Sequence, residues 1–164
     1  MKILQINNVY GEKSTGKITR ELHEGLLRAG HESVVVYGRG KNTTDAGVIR
    51  LCPDWYGKMN SLLSRFTGIR HGGCLLSTYR LQRIILREKP DIVHLQCING
   101  NFVNIFRIVR WLNQNKRKTV LTLHAEFMYT ANCGHAFDCD QWKVCSRVNI
   151  SRRSIRLNRL HLQV

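Results

Sequence analysis

The alternation of short apolar runs with helix-patterned segments is the feature that most constrains how this chain can fold. Residues 2–9 form the first apolar run, and a loop bounded by Gly11 and Gly16 follows it. A helix-patterned segment then ends at Gly30, and residues 34–37 are a β-branched run too short for a helix. A strand–helix–strand unit of this kind favours parallel pairing with a right-handed crossover.

The alternation continues to residue 124. Three more segments predict helices and three more predict strands: residues 55–66, 74–87 and 102–111, and residues 48–51, 91–96 and 119–124. The first and last helices each have apolar residues at helical spacing, at Ile18, Leu22, Leu26 and Leu27 and at Phe102, Ile105, Phe106, Val109 and Leu112. We therefore expect an α/β fold, a Rossmann-like parallel sheet with helices on both faces.

Ligand sites in such sheets lie beyond the carboxyl ends of the strands. That rule predicts that three polar segments lie together at one edge of the sheet, which we call the rim. They are the loop 10–17, the segment after Gln96 and the segment after His124. The loop has the composition of an anion site, because a glycine-bounded turn into a helix presents backbone N–H groups and the positive end of the helix dipole. Its candidate binding residues are Gly11, Ser14, Thr15, Gly16 and Lys17.

The same loop nearly completes the phosphate-loop pattern G-x-x-x-x-G-K-[ST]. Ile18 occupies the position where a hydroxyl should bind magnesium, and no apolar strand ends in a magnesium-binding Asp. Asp91 begins its strand instead. A nucleotide-binding protein of the phosphate-loop class is therefore an alternative interpretation, and magnesium-dependent ATP binding that is lost in Lys17→Ala would support it.

Length and composition narrow the class of protein. The chain has 164 residues, 43% of them apolar, which suits one domain with a sizeable core. It has no apolar run of about 18 residues, and Asn7, Asn8 and Glu12 interrupt the apolar stretch that a secretory signal would need. We expect a cytoplasmic protein.

The formal net charge of +15 suggests an anionic partner. Lysines and arginines are scattered through every segment and no nucleic-acid-binding module is evident, so we expect no nucleic-acid partner and favour an anionic membrane surface at the inner membrane. A basic, non-catalytic interaction module remains an alternative, and it predicts steeply salt-dependent nucleic-acid binding. A solvated surface also explains much of this charge.

Several motifs together resemble a known family. They are Asn8-Val-Tyr-Gly11, Ser14-Thr-Gly-Lys17, Ala29-Gly-His31, Pro90-Asp-Ile-Val-His94 and Thr122-Leu-His124, followed by a loop with Trp and Cys. In this order they resemble the N-terminal half of retaining GT-B glycosyltransferases, in particular the family 4 enzymes that build bacterial exopolysaccharide and lipopolysaccharide O-antigen chains. The resemblance spans about residues 1–145.

The resemblance implies a two-domain enzyme. The N-terminal domain binds a glycan or lipid-linked acceptor, the C-terminal domain binds a nucleotide-sugar donor as co-substrate, and the chemistry needs no further cofactor. It implies that the loop 11–17 forms an acceptor and phosphate rim and that His124 contacts the transferred sugar as the catalytic residue. His94 and Glu126 are weaker substrate-binding candidates. The enzymes that the sequence resembles commonly have an Asp directly after this histidine. Here Ala125 follows His124, and Glu126 comes one place further on.

Three clustered cysteines follow, Cys133, Cys139 and Cys145. They resemble a family segment with a fourth cysteine, and four thiolates could bind a structural zinc. Here the fourth cysteine is missing, and the five-residue spacings are wider than in a zinc knuckle. His135 could substitute for it, but its closeness to Cys133 in the sequence makes the ligand geometry unfavourable. Reduced structural thiols are the alternative.

The resemblance stops near residue 144, and we expect a domain over residues 1–145 followed by a basic tail over residues 146–164. One interpretation is that the chain is truncated or frameshifted there, so that the tail is not native and this acceptor-side half is inactive alone. The other is that the tail is a basic amphipathic segment for anionic lipid.

Overall fold

The computed structural model describes residues 1–67 and 71–125. Within them the chain forms the elements β1 (Lys2–Asn7), α1 (Lys13–Arg28), β2 (Glu32–Tyr37), β3 (Val48–Arg50), α2 (Asp54–Thr67), α3 (Leu75–Glu88), β4 (Ile92–Leu95), α4 (Ile105–Gln114) and β5 (Thr119–Leu121). This sequence of elements confirms the predicted alternation. The expectations for Glu126, for the cysteine cluster and for the tail lie outside the described residues.

The five strands form one parallel sheet with the order β3-β2-β1-β4-β5. The central strand β1 pairs with β2 on one side and β4 on the other, so that Gln5 lies beside both Val35 and His94. The predicted Rossmann-like α/β fold is confirmed. Because all strands run the same way, the carboxyl ends of β1, β4 and β5 lie side by side at one edge.

One face of the sheet is apolar, and we call it the apolar face. It presents alternate residues of the three central strands: Leu4, Ile6, Val34, Val36, Val93 and Leu95. Leu81 and Ile85 of α3 and Ile108 and Leu112 of α4 pack in the same cluster, together with the fully buried Phe102. This cluster is the main hydrophobic core, and burial of its apolar area is the main favourable contribution to folding.

The opposite face, which we call the polar face, lies under α1. Apolar spacing correctly predicts this helix but not the side that it turns to the sheet, because Ile18, Leu22 and Leu27 are 46%, 37% and 47% exposed. The buried residues of α1 are Gly16, Thr19 and His23. They are polar or small because the strands present polar groups such as Gln5 and Ser33 to this helix.

The last helix also begins later than predicted. Asn104 precedes α4 in an extended conformation, and its side chain accepts a hydrogen bond from Arg107 N, so the helix starts at Ile105. Phe102 is therefore buried before the helix. Ile108 takes a core position, whereas the expected core residue Val109 is 41% exposed.

Strand β5 ends at Leu121 and is exposed along its length. The expectation of helices on both faces is confirmed, because α1 covers the polar face with contacts to β1 and β2, and α3 and α4 pack against the apolar face. Among the helices of residues 1–67 and 71–125, none is long and apolar enough to cross a membrane.

Candidate functional site

Asn7 joins two of the predicted rim segments. Its fully buried amide donates from Nδ2 to the carbonyl oxygens of Val9 (2.8 Å) and Thr15 (3.2 Å), and its Oδ1 accepts from the backbone N of Cys97 (3.0 Å). The hydrogen bond to Val9 turns the chain, so that β1 ends at Asn7 and not at the predicted residue 9. The loop after β1 and the segment after β4 are therefore adjacent, as the sequence predicts for the rim.

The glycines of this loop are required by close approach of the backbone. Gly11 has a φ of +68°, and its N–H donates to the carbonyl of Gly16 at 2.9 Å. A Cβ on Gly16 would lie 3.1 Å from Val9 Cγ2 and 3.3 Å from Gly11 N. The loop is consequently folded tightly against the start of α1, with Thr15 half-buried and with Ser14 and Lys17 exposed at the rim.

This arrangement suits an anion better than it suits a nucleotide triphosphate cradle. The Gly11 N–H is used inside the loop and is not aimed at a ligand. The first turn of α1 contains no acidic residue, and the preceding Glu12 does not cap it with its own side chain. The positive end of this helix is therefore not neutralised by Glu12 or by its own first turn, and such an end favours an anion.

Arg39 is a second positive group at the rim, and the sequence reasoning missed it. It follows β2, is half-buried, and donates from Nε to Asn8 Oδ1 at 3.1 Å. Burial raises the pKa of the Cys97 thiol, and the nearby charge of Arg39 opposes that rise. Arg39 therefore lies near the ends of β1 and β4, where its guanidinium suits a phosphate.

A line of buried polar side chains runs from the rim beneath α1. Thr19 Oγ1 lies 2.8 Å from the Thr15 carbonyl and 3.0 Å from Gln96 Oε1. Gln96 Nε2 donates to Gln5 Oε1 at 2.7 Å, and Gln5 Nε2 donates to Ser33 Oγ at 3.3 Å. These contacts connect the loop, the end of β4 and the central strand through side-chain hydrogen bonds.

The line ends at His23. Its Nε2 lies 3.2 Å from the carbonyl of Ala46, which can only accept, so Nε2 carries the proton. A neutral His23 therefore accepts at Nδ1 from the Ser33 hydroxyl, 2.8 Å away. We call the residues Thr19, Gln96, Gln5, Ser33 and His23 the polar line. All five are buried and hydrogen-bonded, which fixes the loop relative to the sheet.

The two candidate histidines lie near each other on β4 and just after β5. His94 Nε2 lies 2.8 Å from Thr122 Oγ1, two residues before His124. Burial and, secondarily, the nearby His124 lower the pKa of His94. His124 is half-buried, and its Nε2 is buried with no hydrogen-bond partner in the described part of the chain. His94 therefore lies within the sheet and contacts the segment that leads to His124.

The remaining predicted site residues are Glu126 and the possible zinc ligands Cys133, Cys139 and Cys145, and they lie outside the described residues. Within residues 1–67 and 71–125, no group of three or more His, Cys, Asp and Glu side chains could hold a metal ion.

Sequence reasoning also missed Asn7 and Gln96. A signal for both exists, because polar residues alternate with apolar ones at Gln5 and Asn7 and again at His94 and Gln96. A spacing of two residues places each pair on one face of its strand. Polar residues at alternate positions of a buried parallel strand therefore indicate a polar face.

Comparison with known proteins assigns the chain to a family. Residues 15–157 match Glycosyltransferase Family 4, a region that includes most of α1, all later elements and both candidate histidines. The chain belongs to Glycosyltransferase Family 4.

A similar curated protein is WcaC of Escherichia coli (strain K12), which its name assigns to colanic acid biosynthesis as a glycosyl transferase. It is 25% identical over 177 aligned positions, which cover 98% of this chain. The chain spans 43% of the length of that relative. No solved structure matches the chain.

Proposed function

We propose that this chain forms the acceptor-side, N-terminal domain of a retaining GT-B glycosyltransferase of bacterial surface polysaccharide biosynthesis. Membership of Glycosyltransferase Family 4 supports the transfer of a glycosyl group, and similarity to a relative named for colanic acid biosynthesis supports an exopolysaccharide product. O-antigen chains are a further product class of the family that the sequence resembles. The proposed domain is residues 1–145, with residues 146–164 as a basic tail.

The observation that carries this proposal is the meeting of two rim segments at Asn7, beside β4, which contains His94, and on the same edge as the end of β5, which precedes His124. The loop 11–17 presents the positive end of α1 to this rim, and Arg39 adds a guanidinium. These groups suit the diphosphate of a nucleotide-sugar, which a second, donor-binding domain would present across a cleft. Lys17 and Ser14, both exposed, would complete the contact with phosphate or acceptor.

In this proposal His124 is the catalytic residue. Its buried Nε2 lacks a hydrogen-bond partner among the described residues, and buried polar groups normally have one. A sugar hydroxyl of the donor would supply that partner. The resulting hydrogen bond would orient the anomeric carbon and support an oxocarbenium-like transition state. His94 would hold the Thr122–His124 segment, and Glu126 would contact the substrate.

The partners follow from this chemistry. The co-substrate is a nucleotide-sugar, the acceptor is a glycan or a lipid-linked glycan, and no further cofactor is required for the transfer. We place the protein in the cytoplasm, with peripheral contact at the inner membrane where lipid-linked acceptors are anchored. In this proposal, a zinc at Cys133, Cys139 and Cys145 would stabilise the fold and would take no part in the sugar transfer.

Two measurements test the proposal on the 164-residue chain. Because under this proposal the 164 residues supply only the acceptor side, we expect no sugar transfer from any nucleotide-sugar, and measurable transfer would refute the proposed division of roles. We also expect weak binding of inorganic diphosphate by calorimetry. Lys17→Ala and Arg39→Ala should each weaken it by about 3-fold to 10-fold, as expected for one partly exposed charge-assisted contact.

The matched control for these variants is Lys118→Ala. Lys118 is exposed and precedes β5, so it lies at the opposite edge of the sheet from the rim. Equal loss of diphosphate binding in the control variant would show a non-specific charge effect and would remove the loop from the proposed site.

A further inference from the structure

Helix α2 turns a second apolar face outward. Five of its large apolar residues are exposed, at 63%, 44%, 54%, 51% and 82% for Trp55, Met59, Leu62, Leu63 and Phe66. At about 100° of rotation per residue they fall within one arc of about 100°. The core side of the same helix is a different arc, which contains the buried Tyr56 and Asn60. The exposed residues therefore form a continuous stripe and not a scatter of single side chains.

The start of α3 extends this stripe. Asn60 Oδ1 accepts from the backbone N of Cys74 at 2.9 Å, which places the first turn of α3 beside the middle of α2. Leu75, Leu76 and Tyr79 on that part of α3 are 54%, 76% and 57% exposed. We call these eight residues the α2–α3 apolar surface. A contiguous exposed apolar surface of this kind marks an interaction site.

The charges around this surface are positive. Residues 54–88 contain six lysines and arginines but only two acidic residues, Asp54 and Glu88, one at each end. Both acidic side chains are already paired within the protein, Asp54 with Arg50 at 2.8 Å and Glu88 with Lys2 at 3.0 Å. Glu88 also pairs with Arg87 at 2.8 Å. The exposed Lys58 and Arg83 have no acidic partner among the described residues, so their charges stay available to an anionic partner.

We propose that the α2–α3 apolar surface docks on an anionic lipid bilayer. Exposed aromatic and aliphatic side chains that share a face with basic residues are the pattern of helices that lie in the membrane interface. Trp and Tyr are the aromatic residues enriched at that depth, and lysine and arginine are attracted to anionic headgroups. The net charge of +15 on the whole chain acts in the same direction.

The position of the surface relative to the rim supports this occupant. Asp54, the first residue of α2, accepts from the backbone N of Gly40 at 3.2 Å, just beyond the end of β2. A Cβ on Gly57 would lie 3.5 Å from the Asn101 carbonyl, in the segment after β4. The apolar surface therefore begins beside the candidate site. Under the proposed function, on which this step rests, docking brings the rim to the plane where a lipid-linked acceptor lies.

The test is co-sedimentation of the purified 164-residue chain with phosphatidylcholine vesicles, with and without phosphatidylglycerol. We expect binding to the anionic vesicles that weakens as salt is raised, with a blue shift of tryptophan fluorescence that is lost in Trp55→Phe. The apolar variant Leu62→Ser/Phe66→Ser and the charge variant Lys58→Glu/Arg83→Glu should each reduce partitioning by about 10-fold or more. All four positions are exposed, so the variants should melt like the parent chain.

Matched controls separate this surface from a general surface effect. Val109→Ser removes an apolar side chain that is 41% exposed on α4, and Lys118→Glu reverses a charge at the opposite edge of the sheet. Both should partition like the parent chain. Equal loss in a control variant, or no loss in the apolar variant, would overturn the proposal.

Two other results would also overturn it. The first is an absence of binding to anionic vesicles. The second is concentration-dependent self-association that the apolar variant abolishes, which would assign the surface to a second copy of the chain. Since the vesicle assay contains no sugar donor, failure here leaves the glycosyltransferase proposal intact. Conversely, failure of diphosphate binding leaves the docking result unaffected.

Discussion

The apolar face and the polar face of the sheet are built from alternate residues of the same strands, yet they hold their helices by different interactions. On the apolar face, Leu4, Ile6 and Leu95 contact α3 and α4 through close packing without directional bonds. On the polar face, Gln5 and Gln96 meet α1 through a line of hydrogen bonds. Hydrophobic packing is non-directional, whereas a hydrogen-bonded line fixes angles and distances.

This difference explains where the candidate site lies. The polar line leads directly to the loop 11–17, which must keep a defined geometry to bind a ligand, and Asn7 fixes the same loop from the end of β1. The apolar face carries the larger cluster of buried apolar residues. We therefore expect substitutions on the apolar face to act mainly on stability and those on the polar face to act on stability and on the rim together.

The largest effect is expected for Phe102→Ala on the apolar face. Phe102 is fully buried and packs against Gly38, where an added Cβ would clash with the ring. Its truncation should lower the free energy of unfolding by about 3–5 kcal/mol, measured by urea denaturation. A loss below about 1 kcal/mol would show that the apolar face does not dominate the stability.

A smaller loss is expected for Gln96→Leu, which breaks the polar line at its centre. The variant leaves Gln5 Oε1 without its donor and limits the Thr19 hydroxyl to the Thr15 carbonyl, and it should cost about 1–3 kcal/mol in urea denaturation. Because the partners are coupled, Gln5→Leu/Gln96→Leu should cost less than the sum of the single variants by about 0.5–3 kcal/mol. Strict additivity would contradict a continuous line.

Thr19→Val sharpens the comparison further, because it keeps the shape of a buried side chain and removes only the hydroxyl. The expected loss is about 1 kcal/mol of unfolding free energy. Diphosphate binding should weaken as well, since Thr19 contacts the Thr15 carbonyl in the loop. Ile108→Val on the apolar face is the matched control. It should cost a similar free energy of about 0.5–1.5 kcal/mol and leave diphosphate binding unchanged.

The contrast between the faces also defines what the sequence could predict. Apolar runs of the correct length and the glycine stops predicted the order of elements, the parallel sheet and the adjacency of the loop 10–17 to the segment after β4. Apolar spacing in α1 predicted the wrong buried side of the helix. Hydrophobic periodicity assumes an apolar partner, whereas the strands here present Gln5 and Ser33 to that helix. The role of Arg39 depends on contacts between segments distant along the chain, which local patterns do not contain.

The smallest change in the free energy of unfolding is expected when the pH is lowered, and it should arise from His94 on the polar face. Burial lowers the pKa of His94, with a lesser contribution from the nearby His124. A depressed folded pKa means that the stability contributed by neutral His94 is present above its ordinary pKa of 6.5 and is lost as pH falls through the lowered value. Urea denaturation between about pH 7 and pH 5 should show this loss.

His94→Gln should flatten that part of the pH profile, because glutamine does not titrate and can still reach the Thr122 hydroxyl. The control His31→Gln, at the opposite edge of the sheet, should keep the profile of the parent chain. An unchanged profile in His94→Gln would exclude His94 as the source of the pH dependence.

The most direct measurement concerns His124 in a longer family member that contains both the acceptor-side and donor-binding halves and has a histidine at the corresponding position. Replacing that histidine with alanine should lower kcat for sugar transfer by about 100-fold or more, as expected for loss of a hydrogen bond that strengthens in the transition state. The melting temperature should remain close to that of the parent protein. A kcat within about twofold of the parent value would contradict the catalytic role of His124 and the assignment of the rim as the transfer site.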